Sequence, residues 1–326
     1  MRKEGYLVIL ASVVGTICIA SAASAFDAIT IVDPFMKACW RIQLNAYCYY
    51  GCVLFTWKAN KIAYKSQLKT NLKTMIISGI FQGSHFCLWT LSLDLTSVAH
   101  SLLFLCSTPL LIVAYHLITC KPIRKLEIIG VLIGFSGMIV ICLEGENSEG
   151  STIPGDLVAL AGAFAIWFHF ITTEKLLIDQ PFMSLFIIHL SSAIFCFFVS
   201  LIYSICLYGA SGFSVGGQIV AYLYNIQGLY AVYLGIIVGF IGNGSLYYVL
   251  KHTSPLVLTV IVFFEPVFGS IFAWMCGFQR EPSMFTWIGG SIIVVGNFIV
   301  SVFTKLKTQQ KDNEIHDSLA NESIST

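Results

Sequence analysis

One carboxylic acid, Glu265, lies deep inside an apolar run that covers residues 256–278. It follows the start of that run by nine residues, which at about 1.5 Å per residue is roughly 14 Å of helix. A hydrocarbon core is about 30 Å thick, so Glu265 is expected near its centre, where a charge costs on the order of 3 kcal/mol. The adjacent Pro266 removes a backbone donor. An acid beside a helix break at this depth predicts a solute or ion site. The alternative is an acid that is protonated or paired for structural reasons.

A second apolar run carries polar residues at every fourth position, namely Lys37, Arg41 and Asn45. This spacing puts the three side chains on one helix face, and we expect that face to point into a helix bundle. The planar guanidinium of Arg41 is suited to an anionic group of a solute. The alternative is a structural pair of Arg41 with Glu265 or Asp94. Lys37 is predicted to extend its ammonium group to the membrane surface.

Two further helix faces combine polar and aromatic groups. The histidine of the first face, His85, could bind solute, relay protons or form a hydrogen bond to a neighbouring helix. They consist of Gln82, His85 and Trp89 in one run, and of Gly239, Asn243 and Tyr247 in another. Trp167 and His169 lie about 200° apart at 100° per residue. Only one of that pair can face a cavity directly, and we favour Trp167. Pro109 and Pro266 are predicted to allow helix bends.

The composition indicates whether these groups lie in a soluble protein or in a membrane. The chain has 326 residues, of which 57% are hydrophobic and 11% charged, with a mean hydropathy of +0.82. Soluble domains carry about 25% charged residues, so we predict an all-α polytopic membrane protein. A net charge of +1 gives no sign of nucleic-acid binding. No cysteine or histidine spacing indicates a metal, and no catalytic motif is present, so neither an enzyme nor a cofactor is expected.

Ten apolar segments are long enough to span a bilayer as helices. They cover residues 6–25, 34–57, 75–95, 97–117, 128–143, 156–177, 182–208, 229–250, 255–278 and 286–303. The first segment also resembles a secretory signal with small residues before Phe26. Its length of about 20 residues suffices to span a bilayer and keeps the number of spans even, so we expect a retained first helix.

Basic residues orient these spans. With the N-terminus inside, 15 of the 18 lysines and arginines fall on the inner side, and the exceptions are Lys37, Arg41 and Arg280. This positive-inside pattern predicts cytoplasmic N- and C-termini. The polar residues 304–326 are predicted to form a disordered cytosolic tail. Both a plasma-membrane and an endomembrane location fit this pattern.

The two halves of the chain repeat several features in the same order. The pair Gly79 and Gly83 corresponds to Gly235 and Gly239, and Pro109 corresponds to Pro266. Gly130 and Gly137 correspond to Gly289 and Gly296, and Thr96-Ser97 to Thr253-Ser254. Because each copy would contain five spans, an odd number, the two copies are predicted to insert in opposite orientations. Inverted repeats of this kind place a binding site on the axis between them.

With these features the chain resembles the drug/metabolite transporter superfamily, EamA type. The residues that carry the resemblance are Arg41, Thr96-Ser97, Pro109, Gly155-Asp156-Leu157-Val158-Ala159-Leu160, Trp167, Thr253-Ser254, Glu265-Pro266-Val267, Glu281, Gly289-Gly290 and Gly296. The resemblance implies ten helices in two five-helix repeats, over residues 1–150 and 151–303, around a central cavity. Lys121 stands near the place where the family pattern often has an acid. A small solute and the lipid bilayer are the implied partners, and a homodimer is left open.

The function predicted from these observations is secondary transport of a small organic solute by alternating access. Glu265, Arg41, Gln82, His85, Trp89, Trp167, Asn243 and Tyr247 are the predicted solute-binding residues. A membrane scaffold or receptor that keeps the fold without transporting is the alternative. It would have a tight interior in which Glu265 is paired. An intramembrane enzyme is disfavoured because no nucleophile–base pair is recognisable.

Overall fold

A computed structural model describes residues 2–120, 125–143, 152–178, 180–208, 218–253, 258, 261–262, 265–277 and 283–299. Helices account for nearly all of these residues, and no strand occurs among them. In chain order they are α1 (Arg2–Ala20), α2 (Ala22–Asp27), α3 (Pro34–Leu95), α4 (Val98–Leu105), α5 (Thr108–Ile118), α6 (Lys125–Cys142), α7 (Ile153–Glu174), α8 (Pro181–Tyr208), α9 (Gly228–Val232), the π-helix Tyr233–Asn243, α10 (Gly244–His252), α11 (Glu265–Met275) and α12 (Met284–Ile299). The predicted tail at 304–326 lies outside the described residues.

Four helical stretches in the described part are long and apolar enough to cross a membrane. They are Gly5–Asp27, Ile153–Leu177, Pro181–Leu207 and Gly228–His252, and Ile128–Val140 and Met284–Ile299 are shorter apolar helices. Many large apolar side chains on these helices are exposed, such as Leu132, Phe198 and Ile202. Apolar surface of this extent on long helices is typical of contact with lipid. The chain is therefore a multi-pass integral membrane protein.

Helix α3 folds back on itself. A straight helix of 62 residues would be about 93 Å long, yet Lys37 Nζ near its start lies 3.1 Å from Asp94 Oδ1 near its end. Thr56 Oγ1 and Tyr64 Oη are 2.6 Å apart, so the reversal lies between these two residues. Helix α3 thus forms two antiparallel arms, and together they correspond to the second and third predicted spans.

The segment between those two spans, residues 58–74, has a defined secondary structure. It is helical throughout. Its sequence contains no glycine or proline and has five lysines and two alanines, which favour helix. Lysine-rich residues at the membrane surface therefore extend the arms of α3 beyond the apolar spans.

Local signals fix where α3 begins and where the fourth predicted span breaks. Asp33 caps α3, because its side chain accepts hydrogen bonds from the backbone amides of Phe35 and Met36. The backbone leaves helical geometry at Cys106 and Ser107, immediately before α5 and its Pro109. Residues 263–264, just before Pro266, lie outside the described residues. The proposed hinge roles of both prolines stay predictions.

Close contacts at glycines give the relative directions of several helices. A Cβ on Gly79, in the second arm of α3, would lie 2.7 Å from Ser191 of α8, and one on Gly83 would lie 2.8 Å from Phe195. From the first contact to the second, the residue numbers rise on both helices. The second arm of α3 therefore runs parallel to α8.

The π-helix makes the corresponding contact with the first arm of α3. A Cβ on Gly235 would meet Leu44, one on Gly239 would lie 3.1 Å from Asn45 Nδ2, and Gly244 lies against the Tyr49 hydroxyl. The residue numbers again rise on both helices from one contact to the next, so the π-helix runs parallel to the first arm.

Helices α6 and α12 cross in opposite directions. A Cβ on Gly137 would lie 2.6 Å from the carbonyl oxygen of Gly289, and one on Gly296 would lie 2.5 Å from the amide nitrogen of Gly134 and 2.7 Å from the carbonyl oxygen of Gly130. Residue numbers rise on one helix as they fall on the other, and the backbones touch at glycines on both sides.

Candidate solute-binding site

A cavity of about 100 Å³ lies between α1, both arms of α3, α4, α7, the π-helix, α10 and α11. A void of this size has room for several water molecules. Its lining consists of Ile19, Arg41, Gln82, His85, Phe86, Trp89, Leu105, Cys106, Thr108, Ile166, Phe170, Asn243, Leu246, Tyr247, Val262 and Glu265.

Seven of the eight predicted binding residues line this one cavity, and Trp167 does not. The cavity face of α7 is instead formed by Ile166 and Phe170, which are one helical turn apart. Trp167 is rotated away from Ile166 by about 100°, and its ring packs against Tyr115 at a centroid distance of 5.3 Å. Neither Trp167 nor His169 faces the cavity directly.

Three aromatic rings enclose the guanidinium of Arg41. Its Cζ lies 4.6 Å from the centroid of Phe86, 5.5 Å from that of Phe26 and 5.6 Å from that of Trp89. Cation–π contacts of this kind stabilise a desolvated guanidinium by about 2 kcal/mol or more. The rings hold the charged group in a fixed place, because Arg41 is only 2% exposed.

Two donors of this guanidinium are left unused. Neither Nε nor Nη1 of Arg41 has a hydrogen-bond partner among the described residues. Glu265 lines the same cavity and is 6% exposed, but it forms no ion pair with Arg41 within the described part of the chain. A buried charged donor without a partner is costly, so the arrangement favours a polar occupant of the cavity.

A chain of hydrogen bonds supports the polar wall of the cavity. Gln82 Nε2 donates to the Tyr247 hydroxyl at 2.7 Å and lies 3.2 Å from His189 Nε2. His189 Nδ1 donates to the Leu185 carbonyl oxygen at 2.7 Å, so its Nε2 is the acceptor for Gln82 in the neutral ring. This chain fixes the Gln82 amide and joins α3, α8 and α10.

Tyr247 also contacts α7. Its hydroxyl lies 2.9 Å from His169 Nε2, and His169 Nδ1 lies 3.1 Å from the Ser78 carbonyl oxygen. A carbonyl can only accept, so Nδ1 carries the proton and Nε2 accepts from Tyr247. His169 therefore reaches the cavity through Tyr247. The π-helix that ends at Asn243 leads directly into this wall.

His85 is held by a backbone group rather than by a charged partner. Its Nδ1 donates to the Gly162 carbonyl oxygen of α7 at 3.0 Å, and its ring stacks on Trp89 at 6.1 Å. The Nε2 atom of the neutral ring is consequently the acceptor. This bond orients the ring along the cavity wall.

Lys37 forms an ion pair between the start and the end of α3. It is buried, and its Nζ donates to Asp94 Oδ1 at 3.1 Å. Asp94 thus pairs with Lys37 rather than with Arg41. This contact joins the two arms of α3 one helical turn away from Arg41, outside the cavity lining.

A larger groove of about 690 Å³ adjoins the cavity toward the N-terminal end of α1. It is lined by the first half of α1, the start of α8, the end of the π-helix and α10, including Leu7, Leu185 and Lys251. Tyr247 belongs to the lining of both spaces. It is the side chain that separates the groove from the cavity.

The other end of the bundle is joined by hydrogen bonds between distant parts of the chain. The Thr30 amide and hydroxyl bond the side-chain amide of Gln227 at 2.8 and 3.0 Å. Ser21 Oγ lies 2.6 Å from the Tyr233 hydroxyl, and Trp40 Nε1 donates to the Gln218 carbonyl oxygen at 2.8 Å. These bonds close the end opposite the groove.

Three residues in or near the site were not among the predicted binding residues. Phe26 and Phe86 complete the cage around Arg41, and His189 belongs to the hydrogen-bond chain. Phe86 and Trp89 are three residues apart, a spacing that places two rings on one face, so this pair could have been found. Among the described residues, no group of histidine, cysteine and acidic side chains is arranged to hold a metal ion.

Comparison with known proteins gives three findings. Residues 153–302 match the model of the EamA-like transporter family. A protein of Archaeoglobus fulgidus (strain ATCC 49558 / DSM 4304 / JCM 9628 / NBRC 100126 / VC-16) named "Uncharacterized transporter" is 23% identical over 275 residues, 83% of this chain and 88% of that protein. A solved structure titled "Crystal structure of protein" matches 90% of this chain and 97% of its own, with a TM-score of 0.57 and 19% identity. At that identity the likeness concerns the fold.

The multi-pass helical fold and these similarities support a membrane transporter. Residues 153–302 are similar to the EamA-like transporter family. The predicted resemblance of the chain to the drug/metabolite transporter superfamily, EamA type, is confirmed.

Proposed function

We propose that this protein is a secondary transporter that moves a small organic solute by alternating access. The observation that carries the proposal is the cavity, in which two donors of Arg41 are unused and Glu265 forms no ion pair with any residue that the structure describes. A scaffold that had lost transport would have filled this space or paired the two charges, because both arrangements lower the cost of burial.

The architecture that we propose is ten helices in two inverted five-helix repeats, over residues 1–150 and 151–303. The glycine contacts support it. A contact between a span of the first half and a span of the second half recurs between the two corresponding spans, with the halves exchanged. Gly79 and Gly83 contact α8, which contains the seventh predicted span, and Gly235 and Gly239 contact the second. Gly137 contacts Gly289, and Gly296 contacts Gly130. Such reciprocal pairs arise when a two-fold axis relates the two halves.

The helix directions support inversion of the repeats. The two arms of α3 are antiparallel, and α8 runs parallel to the second arm. It follows that α8 runs opposite to the first arm of α3, its counterpart in the first repeat. Inverted repeats let one bundle rock against the other around a fixed central site.

The groove and the closed end support alternating access. The cavity adjoins a groove at one end and is covered by interhelical hydrogen bonds at the other. In the proposed cycle these bonds open while Tyr247 and α10 close over the groove. The groove end contains Lys251 and the start of α1, so the positive-inside pattern assigns it to the cytoplasm.

Uptake into liposomes tests the proposal. Purified full-length protein is reconstituted and supplied with a labelled mixture of small metabolites, and the vesicle contents are analysed by mass spectrometry. We expect enrichment of at least one solute class over protein-free vesicles. Arg41→Gln and Glu265→Gln should abolish that enrichment, since each removes one charge from the cavity.

Lys37→Gln is the matched control, because it removes a buried charge one turn from Arg41 but outside the cavity. Its uptake should equal that of the unmodified protein. If no solute is enriched by the folded protein, the scaffold alternative replaces transport. If all three variants take up solute equally, the assignment of Arg41 and Glu265 to the solute site is wrong.

A further inference from the structure

The groove of about 690 Å³ beside the cavity has a long apolar part and one polar end. Its volume lies within the range of about 300–1,000 Å³ that is usual for ligand pockets. Leu7, Val14 and Ile241 are among the apolar side chains that line it, and Tyr248 and Lys251 line the polar end. The described residues that line the groove include no acid. The positive charge of Lys251 is therefore not balanced within the lining.

The directions of the surrounding helices show which end of the groove is polar. A Cβ on Gly15 of α1 would lie 2.6 Å from Leu246, and one on Gly242 would lie 2.7 Å from Cys18. Residue numbers rise on α1 as they fall on the other chain segment, so α1 runs antiparallel to the π-helix and α10. The first turns of α1 and Lys251 near the end of α10 therefore lie at the same end of the bundle. The positive-inside pattern assigns this end to the cytoplasm.

The groove extends over most of the depth of one lipid leaflet and is open on one side. Leu7 and Val14 are seven residues apart on α1, which corresponds to about 10 Å of helix. Half of a hydrocarbon core is about 15 Å thick. Leu7 is 51% exposed and Leu10 is 59% exposed, so protein does not enclose the α1 side of the groove. Apolar surface that is open at this depth contacts acyl chains.

We infer that the groove binds one anionic phospholipid of the cytoplasmic leaflet. An acyl chain would lie along α1, between the start of α8 and the π-helix, and the phosphate would contact the ammonium group of Lys251. Lys251 is exposed and forms no ion pair with any residue that the structure describes. Basic pockets between helices on the cytoplasmic side of a membrane bind headgroups of this kind.

The chemistry of the lining distinguishes this lipid from other occupants. A soluble anion would contact Lys251 but would leave the apolar length of the groove without a partner. An uncharged lipid would fill the apolar part but would leave Lys251 without a counter-ion. An anionic phospholipid satisfies both parts, because its chain and its phosphate are joined in one molecule.

The position of the groove gives the bound lipid a consequence for the proposed cycle. Tyr247 separates the groove from the cavity, so the lipid would lie at the cytoplasmic entrance and outside the solute site. It must leave before α10 closes over the groove. The site would thereby link the lipid composition of the membrane to transport.

Native mass spectrometry of the full-length protein tests the inference. The protein is titrated in neutral detergent with palmitoyl-oleoyl phosphatidylglycerol, or with phosphatidylcholine that has the same chains. The first phosphatidylglycerol should bind about fivefold more tightly than the first phosphatidylcholine, since one lysine near an anionic headgroup contributes a factor of about this size. sn-Glycerol 3-phosphate, which has the phosphate without the chains, should not displace the lipid.

Variants connect lipid binding to the two parts of the groove. Lys251→Gln should remove the preference for phosphatidylglycerol, and Lys69→Gln, which changes an exposed lysine outside the groove, should keep it. Ala11→Phe adds a ring to the groove lining and should weaken the binding of both lipids. Val13→Phe is its control, because Val13 is 52% exposed on the same helix but does not line the groove. The melting temperature of each variant checks that it is folded.

Three results would overturn the inference. The first is equal binding of the two lipids to the unmodified protein. The second is an equal preference in Lys251→Gln and Lys69→Gln, because the preference would then reflect the general charge of the surface. The third is displacement by sn-glycerol 3-phosphate, which would indicate a site for a soluble anion. Binding is measured without solute, so none of these results depends on the transport proposal.

Discussion

At the scale of single residues, Arg41 illustrates how a membrane interior can hold a cation without a fixed counter-ion. Three rings stabilise its guanidinium, and two of its donors remain unused. Ring contacts supply part of the stabilisation that a carboxylate would give but use none of the hydrogen-bonding capacity. The group stays charged, fixed in position and free to bind.

Two separate substitutions, of Arg41 by lysine and of Lys37 by arginine, test the role of the guanidinium geometry. Arg41→Lys keeps the charge but loses the planar fork and its flat contact with the rings, so we expect uptake to fall to the background level. Lys37→Arg keeps the contact with Asp94, because arginine also pairs with carboxylates. It should leave uptake unchanged. Uptake by Arg41→Lys equal to that of unmodified protein would show that charge alone matters.

Tyr247 is the second residue with a specific expected effect. Tyr247→Phe removes the acceptor of one Gln82 N–H, while the bond of Gln82 Nε2 to His189 remains, and it leaves His169 Nε2 without its donor. Each unsatisfied buried group costs about 1–3 kcal/mol. We expect a clear fall in melting temperature, measured in detergent by tryptophan fluorescence.

Tyr248→Phe is the matched control for that change. Tyr248 is the next residue and is partly exposed, and its ring packs on His252 at 4.3 Å. Its loss of one hydroxyl should scarcely alter the melting temperature. Equal shifts for the two variants would contradict the hydrogen-bond chain described for Tyr247.

Residue spacing predicted much of the cavity lining for a physical reason. Polar groups cannot face lipid, so Arg41, Gln82 and Glu265 had to face the interior, where few positions remain. Trp167 lacks this constraint, because an apolar ring can pack against a neighbouring helix equally well. Its actual contact with Tyr115 depends on the rotation of α7, which spacing alone does not determine.

At the scale of helices, the crossing of α6 and α12 depends on backbone contact. Gly296→Ala would place a Cβ 2.5 Å from the Gly134 nitrogen, where backbone on both sides prevents local adjustment. Overpacking of this kind costs about 1–3 kcal/mol. We expect a lower melting temperature, again followed by tryptophan fluorescence.

Gly51→Ala is the control for this substitution. Gly51 lies within α3, and a Cβ there would meet nothing within 4 Å. Alanine is favoured over glycine in a helix by about 0.5–1 kcal/mol, so the variant should be as stable as the unmodified protein or more so. A destabilised Gly51→Ala together with an unaffected Gly296→Ala would refute the proposed crossing.

The sequence indicates the helical class and the apolar spans more reliably than the path of α3. An apolar segment of sufficient length predicts a membrane-spanning helix at any position in the chain. Residues 58–74 give no such signal, because their lysines fit a surface loop as well as a surface helix. Only the packing of the two arms, seen in the Lys37–Asp94 and Thr56–Tyr64 contacts, determines that helix continues through this segment.

At the scale of the whole molecule, the proposed cycle requires the bonds at the end opposite the groove to break. Cysteines are introduced as Thr30→Cys and Gln227→Cys, in a background where the exposed Cys120, Cys206 and Cys276 are serine. A bifunctional thiol reagent should then abolish uptake, because it holds together two segments that move apart in the proposed cycle. Ligand binding from the groove side should persist.

A cross-link inside one rigid helix is the control for that experiment. Leu190→Cys and Ile194→Cys lie one turn apart on α8, and both native residues are exposed. The same reagent should bridge them without reducing uptake. Full uptake with Thr30 and Gln227 bridged would exclude opening at this end.

The doubled-back course of α3 also has a consequence for how the protein is made. Arg41 leaves the ribosome 45 residues before Phe86, yet its cage includes Phe86 and Trp89 of the returning arm, and Asp94 of that arm pairs with Lys37. The first arm alone would present two cations to the acyl chains, at about 2.5–3.5 kcal/mol each. We therefore expect the first arm to be stable in the bilayer only after the returning arm has been synthesised.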